Sequence, residues 1–147
     1  MSIRSITSED RETYLELVKE FYQSDAVLHP VPMRNAEATF DEALSSDRYA
    51  ECFIVEHDAR AVGFALVAKT FTQEAGGLVV WLEELYIRPQ FRNLGLGRGA
   101  MAALLARYPQ AMRFRLEVAP DNARVMALYR SMGFETLDYL QMVRDKT

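Results

Sequence analysis

The segment Leu78–Ile87, LVVWLEELYI, followed by RPQFRNLGLGRGAM, constrains the fold more than any other part of the chain. A run so rich in valine, leucine and aromatics reads as a β-strand, and because it is apolar on both faces it needs cover on both sides. Glu83 and Glu84 interrupt it, and a carboxylate in such a strand is costly unless something there requires it. Successive strand residues point to opposite faces, so without a bulge only one of the two acids looks into a given cleft. The glycines Gly95, Gly97 and Gly99 then fall where a loop turns into a helix. A central strand, a loop and a covering helix are therefore expected in that order.

The flanking sequence supplies the rest of a layered α/β domain. Ile3–Ile6 reads as a short strand, and Thr7 or Ser8 with Asp10 opens a helix carrying Leu15, Val18 and Phe21 or Tyr22 to about Ser24. Pro30 and Pro32 mark a loop, after which Asn35 is expected to cap a second helix that turns Phe40 and Leu44 inward. Glu51–Glu56, Ala61–Thr70 and Leu78–Ile87 form a meander joined by short turns. A helix through Met101, Leu104 and Leu105 precedes the alternating strand Phe114, Leu116, Val118, giving a parallel crossover. A last helix runs from Asp121 or Asn122 to Met132, with Gly133 as its left-handed cap and Phe134–Val143 as a closing hairpin.

Composition narrows the class. The 147 residues suit one domain spanning 1–147, half of them hydrophobic and 26% charged, values typical of a globular fold. A net charge of -4 argues against non-specific nucleic-acid binding and is compatible with a cationic small substrate. No apolar run reaches the roughly 20 residues of a membrane span, and MSIRSITSED has no signal-like apolar segment, so a cytoplasmic, membrane-free protein is expected. The single Cys52 forms no internal disulfide, and with only two His no metal site is expected.

Glycines at a helix start let backbone N–H groups approach an anion that the helix terminus also attracts, which makes a phosphate or pyrophosphate the natural guest. Arg92 and Arg98 add charge-assisted donors, and Asn93 tolerates a left-handed turn. The same run, GLGRGA, fits the dinucleotide pattern G-x-G-x-x-G/A, with Glu117 about twenty residues on as a ribose-binding acid. Against that stand the intervening Arg88–Leu94 and the antiparallel strands upstream.

Arg92-Asn93-Leu94-Gly95-Leu96-Gly97 matches the R/Q-x-x-G-x-G/A motif of the GNAT superfamily of N-acetyltransferases, and Asn122 with Tyr129 and Gly133-Phe134 resembles its second signature. The resemblance implies an α/β (α+β) fold, a mixed, largely antiparallel sheet of about six to seven strands flanked by about four helices. It also implies an acyltransferase that moves acetyl from acetyl-CoA to a primary amine in a ternary complex, releasing CoA. The backbone of Arg92, Asn93, Leu94, Gly95, Leu96, Gly97 and Arg98 would hold the pyrophosphate, Leu85, Tyr86 and Ile87 would pair with the pantetheine arm, and Asn122 would bind nearby cofactor atoms. Asn93 and Val125 depart from the smaller residues usual at those positions, which touches loop geometry and helix packing.

An amine attacks a thioester only when deprotonated, so a partly buried carboxylate with a raised pKa suits the general base. Glu83 matches the strand glutamate of small-amine members in this role, and Glu84 would hold the substrate's cationic group. The competing assignment for either acid is a structural ion pair with Arg113 or Arg115. The Tyr129 hydroxyl would protonate the departing thiolate, its alternative being a core tyrosine packed with Val125 and Leu128. Tyr22, Asp25 and His29 lie where the acceptor site is walled in the resembling family. A non-catalytic acyl-CoA sensor and a dinucleotide binder remain as rival functions. A homodimer through an apolar C-terminal β-edge is a further expectation.

Overall fold

The computed structural model of the chain describes residues 1–146. Five strands form one sheet in the order in which they occur: β1 (Ser2–Ser5), β2 (Ala50–His57), β3 (Arg60–Thr72), β4 (Gly77–Ile87) and β5 (Arg113–Leu116). β1 to β4 are antiparallel neighbours, while β5 joins β4 in parallel. That change of direction follows from the helix α3 (Leu96–Arg107), which carries the chain back before β5. The β2–β3 turn needs only Asp58 and Ala59, both at positive φ (50° and 61°), the geometry that suits the twist of a two-residue hairpin.

The period-two pattern of the strands sends alternate residues to two cores. Cys52, Ile54, Phe64 and Tyr86 face α1 (Arg11–Tyr22) and α2 (Met33–Ser45), packing on Tyr14, Leu17, Val18 and Phe40. Phe53, Ala65, Val67 and Val80 face the other way, onto Leu104 and Tyr108 of the α3 side. A strand buried on both faces is what its continuous apolar run demanded. Burial of each Val, Leu, Ile or Phe among them stabilises the fold by about 1.5–3 kcal/mol.

The mixed, largely antiparallel sheet with four helices is as expected, but the sheet has five strands where six to seven were expected. The difference lies at the C-terminus. The helix α4 (Ala123–Ser131) is capped by Asn122, and Gly133 ends it at φ 94°, after which residues 134–146 form no ladder. A hairpin there would have to turn within Leu137–Leu140, where Asp138 alone offers turn chemistry. Leu140, Met142 and Val143 are consequently exposed.

Smaller departures have local causes. α2 begins at Met33 with Pro32 as its cap residue, extended at ψ 141°, its carbonyl accepting from the Asn35 N–H at 2.9 Å, so Asn35 lies within the first turn. Leu44, in the last turn of α2, is 42% exposed where an inward position was expected. β5 stops at Leu116, short of Val118.

Candidate active site

Between Leu82 and Glu84 the β3–β4 ladder slips by one residue. Leu66 pairs with Glu84 and Val67 with Leu82, leaving Glu83 without a partner across the ladder. A bulge of this kind cancels the strict alternation of faces. Glu83 and Glu84 therefore both line one cavity, a result that strict alternation would forbid. The second feature of β4 is its splay from β5. The parallel ladder ends at Leu82–Leu116, while β4 runs on to Ile87 paired with β3 alone. The backbone of Glu83–Ile87, including Leu85 and Tyr86, is thus open along its β5-side edge.

The cavity holds about 230 Å³ between β4 and the end of α1, with Phe21, Tyr22, Ala26, Val27 and Trp81 as its largely apolar wall and Glu83, Glu84 and Glu117 as its charge. No ion pair forms to these three acids among the described residues. Arg113 bonds Glu74 at 2.9 Å, and Arg115 lies over the Trp81 ring at 4.1 Å, so neither arginine neutralises Glu83 or Glu84. The Tyr22 hydroxyl instead donates to Glu84. Partial burial pushes the Glu83 carboxyl above the ordinary carboxylate range, and the Glu117 charge adds to this. Burial raises Glu84 as well; the Tyr22 hydrogen bond opposes that rise and the Glu83 charge reinforces it. Tyr22 is itself held protonated by burial and by the Glu84 carboxylate it faces.

At the far end of β4 the chain makes the turn that opens α3. Gly95 is the cap residue at φ 77°, a left-handed conformation open to glycine without strain. A side chain at Gly97 would project into open space, and the first-turn N–H groups of Leu96, Gly97 and Arg98 have no intrahelical acceptor. These donors stand at the positive end of a helix, and they fit an anionic group such as a pyrophosphate. Asn93 is also left-handed, at φ 64°. Arg92 donates through Nε to the Ile87 carbonyl at 2.9 Å and lies over the Tyr86 ring, and Leu94 is exposed.

α4 carries the remaining expected residues. The Asn122 side chain caps this helix, accepting from the Val125 N–H at 3.3 Å. Tyr129 is half-buried, with its ring 5.7 Å from Phe134, and burial raises its hydroxyl pKa. Tyr129 does not line the cavity of the glutamates, nor do Asp25 and His29, whose loop contributes Ala26 and Val27 instead.

Trp81 carries no signal in the sequence, and Glu117 stands out there only as a ribose-binding acid, because their place in the cavity depends on strand pairing. Trp81 pairs in register with Arg115, two residues before Glu117. Gly63 does carry one: a Cβ there would sit 2.1 Å from the Tyr86 carbonyl, and a glycine inside an apolar strand is a sign of such close approach.

A family model described as the Acetyltransferase (GNAT) family matches residues 11–134. Thialysine N-epsilon-acetyltransferase of Mus musculus is 26% identical, over 92% of this chain and 84% of that protein. The protein of the same name from Caenorhabditis elegans is 36% identical over 72 residues, covering 48% of this chain and 42% of its own. Among solved structures, aminoglycoside N-acetyltransferase AAC(6')-Iy in complex with CoA superimposes with a TM-score of 0.79 at 22% identity, covering 99% of this chain and 95% of its own.

Proposed function

Because the chain belongs to the Acetyltransferase (GNAT) family, we propose that it transfers acetyl from acetyl-CoA to the primary amine of a small cationic molecule, by direct attack within a ternary complex. The observation that carries this reading is the bulge, which turns Glu83 and Glu84 into one cavity where β4 parts from β5. Proton-accepting carboxylates thereby stand beside an open strand edge, with an anion cradle at the end of the same strand.

Acetyl-CoA supplies the activated acyl group, and the residues present fit it. The cradle from Arg92 through Asn93, Leu94, Gly95, Leu96 and Gly97 to Arg98 would bind the pyrophosphate, and the open edge of Leu85, Tyr86 and Ile87 would pair with the amides of the pantetheine arm. Asn122 stands at the start of α4 for nearby cofactor atoms. A backbone N–H of the Glu83–Ile87 edge is the donor for the negative charge that develops on the thioester oxygen.

Glu83 takes a proton from the substrate ammonium, directly or through a water, and its raised pKa brings it toward the range where it can do so. Glu84, oriented by Tyr22, and Glu117 leave negative charge to hold a cationic acceptor within an aromatic wall. Tyr129, which burial keeps protonated, donates to the leaving thiolate. Asp25 and His29 stand in the loop beside this wall, where they would meet the outer part of a larger acceptor. The thialysine acetyltransferases among the relatives are named for a small amine, which supports a small-molecule acceptor here.

The test is calorimetric titration of acetyl-CoA, with NAD as control, followed by a panel of mono- and diamines assayed for CoA release. Micromolar binding and turnover on cationic amines are expected. Binding without turnover on any amine would favour a sensor, and preference for NAD would overturn the reading.

A further inference from the structure

Asn93 holds a left-handed backbone, φ 64°, in the middle of the turn that leads to the anion cradle, and any residue with a Cβ is disfavoured there. Its side chain, though exposed, has a partner. Arg124, in the first turn of α4, donates through Nη2 to the Asn93 Oδ1 at 2.7 Å, across 31 residues of sequence. A second link lies further along both segments, where Arg98 Nη2 donates to the Ser131 hydroxyl at 2.7 Å. α4 itself buries no residue. Among the described residues these two bonds are the side-chain hydrogen bonds that join α4 to another element, and both reach the cradle segment.

We propose that Arg124 is a positioning residue of the acetyl-CoA site: it locks Asn93 in the left-handed turn that shapes the anion cradle, and fixes α4, with Tyr129, against that cradle. The inference rests on the reading that residues 92–98 receive acetyl-CoA. In the Arg124–Asn93 pair the guanidinium bonds a neutral amide oxygen and so acts on the shape of the turn, while its charge stays uncompensated among the described residues; a double-mutant cycle separates the two effects. A loop held in its binding conformation before the ligand arrives binds more tightly, because less ordering remains to be done on binding.

The experiment is a double-mutant cycle on the full chain. Acetyl-CoA affinity is measured by calorimetry for wild type and Arg124→Ala, and again with each carrying Asn93→Gly, a change that removes the need for a clamp at positive φ. Arg124→Ala is expected to weaken acetyl-CoA binding about fivefold, the scale of one lost hydrogen bond, and by less than about twofold when Asn93→Gly is present. Arg124→Gln, which keeps a donor but no charge, retains most of the affinity. The KM for the amine at saturating acetyl-CoA stays constant across the series.

An equal loss in both backgrounds would mean that Arg124 attracts the anion by charge alone, and no loss would mean that the clamp is idle; either overturns the proposal. Absence of acetyl-CoA binding by wild type would instead sink the reading of the site. The clamp is then judged by hydrogen exchange at Asn93–Gly95, where faster exchange in Arg124→Ala supports it and unchanged exchange overturns it.

Discussion

Tyr22, the last residue of α1, donates its hydroxyl proton to Glu84 on β4, so a bond spanning 62 residues of sequence fixes the end of a helix to the floor of the cavity. Removing that donor changes the floor and leaves the cradle at the other end of β4 untouched. Tyr22→Phe is expected to raise the KM for the amine about fivefold while the KM for acetyl-CoA stays within about twofold. Because the Tyr22 bond opposes the rise of the Glu84 pKa, its loss also moves Glu84 further up. Steady-state kinetics with each substrate varied in turn checks the split; equal changes in both KM values would remove Tyr22 from the acceptor site.

A base must be deprotonated to work, so kcat/KM should fall on the acid side with an apparent pKa above the ordinary carboxylate value of 4.5. Glu83→Gln is expected to lower kcat about a hundredfold and to abolish that limb. Tyr129→Phe should cost about tenfold or more in kcat with the acid limb intact. A Glu83→Gln profile with the wild-type limb would assign the base elsewhere.

The acids should also cost stability. For Glu84 the folded-state pKa lies above the ordinary value of 4.5, so the folded chain binds the proton more tightly than the unfolded chain. The resulting stabilisation is fully present below about 4.5 and is lost as the pH rises through the folded value. Glu84→Gln has no such dependence and still offers Tyr22 an acceptor oxygen. Its Tm should exceed that of wild type by roughly 2–4 °C at about pH 8, and the advantage should shrink toward about pH 4. Thermal melts across that range decide it, and a lower Tm at the alkaline end would mean that the Glu84 carboxylate stabilises the fold.

Gly97 should separate stability from binding. It lies inside α3, and a Cβ placed on it would meet nothing within 4 Å, so Gly97→Ala should stabilise the helix by about 0.5–1 kcal/mol. The same methyl group would stand over the first-turn N–H groups and is expected to raise the KM for acetyl-CoA about tenfold. Melting and kinetics on one variant provide both numbers. An unchanged KM would place the pyrophosphate away from this helix terminus.

Much of the fold was legible because it is written in local pattern. The period-two runs of β2, β3 and β4, the proline break before α2 and the glycine turn before α3 each declare themselves within about ten residues. The C-terminal hairpin misled because alternating apolar residues suggest strands whether or not a turn exists to join them. At the site, Glu83, Glu84 and the Arg92–Arg98 cradle stood out as acids in an apolar strand and glycines at a helix start. Trp81 did not, since it is ordinary in its own segment, and Glu117 stood out only as a ribose-binding acid, since its approach to Glu83 is made between separate strands.

The sequence by itself determined the elements as far as α4, the burial of β4 on both faces and the glycine-rich turn into α3, because each follows from side-chain periodicity or from backbone freedom within one segment. Only the tertiary structure decided that Glu83 and Glu84 share a cavity, that Tyr22 and not an arginine partners Glu84, and that Arg124 holds Asn93. Those outcomes depend on a one-residue slip between β3 and β4 and on contacts between residues far apart in the chain. Such contacts are selected by the packing of the whole domain, and no local pattern encodes them.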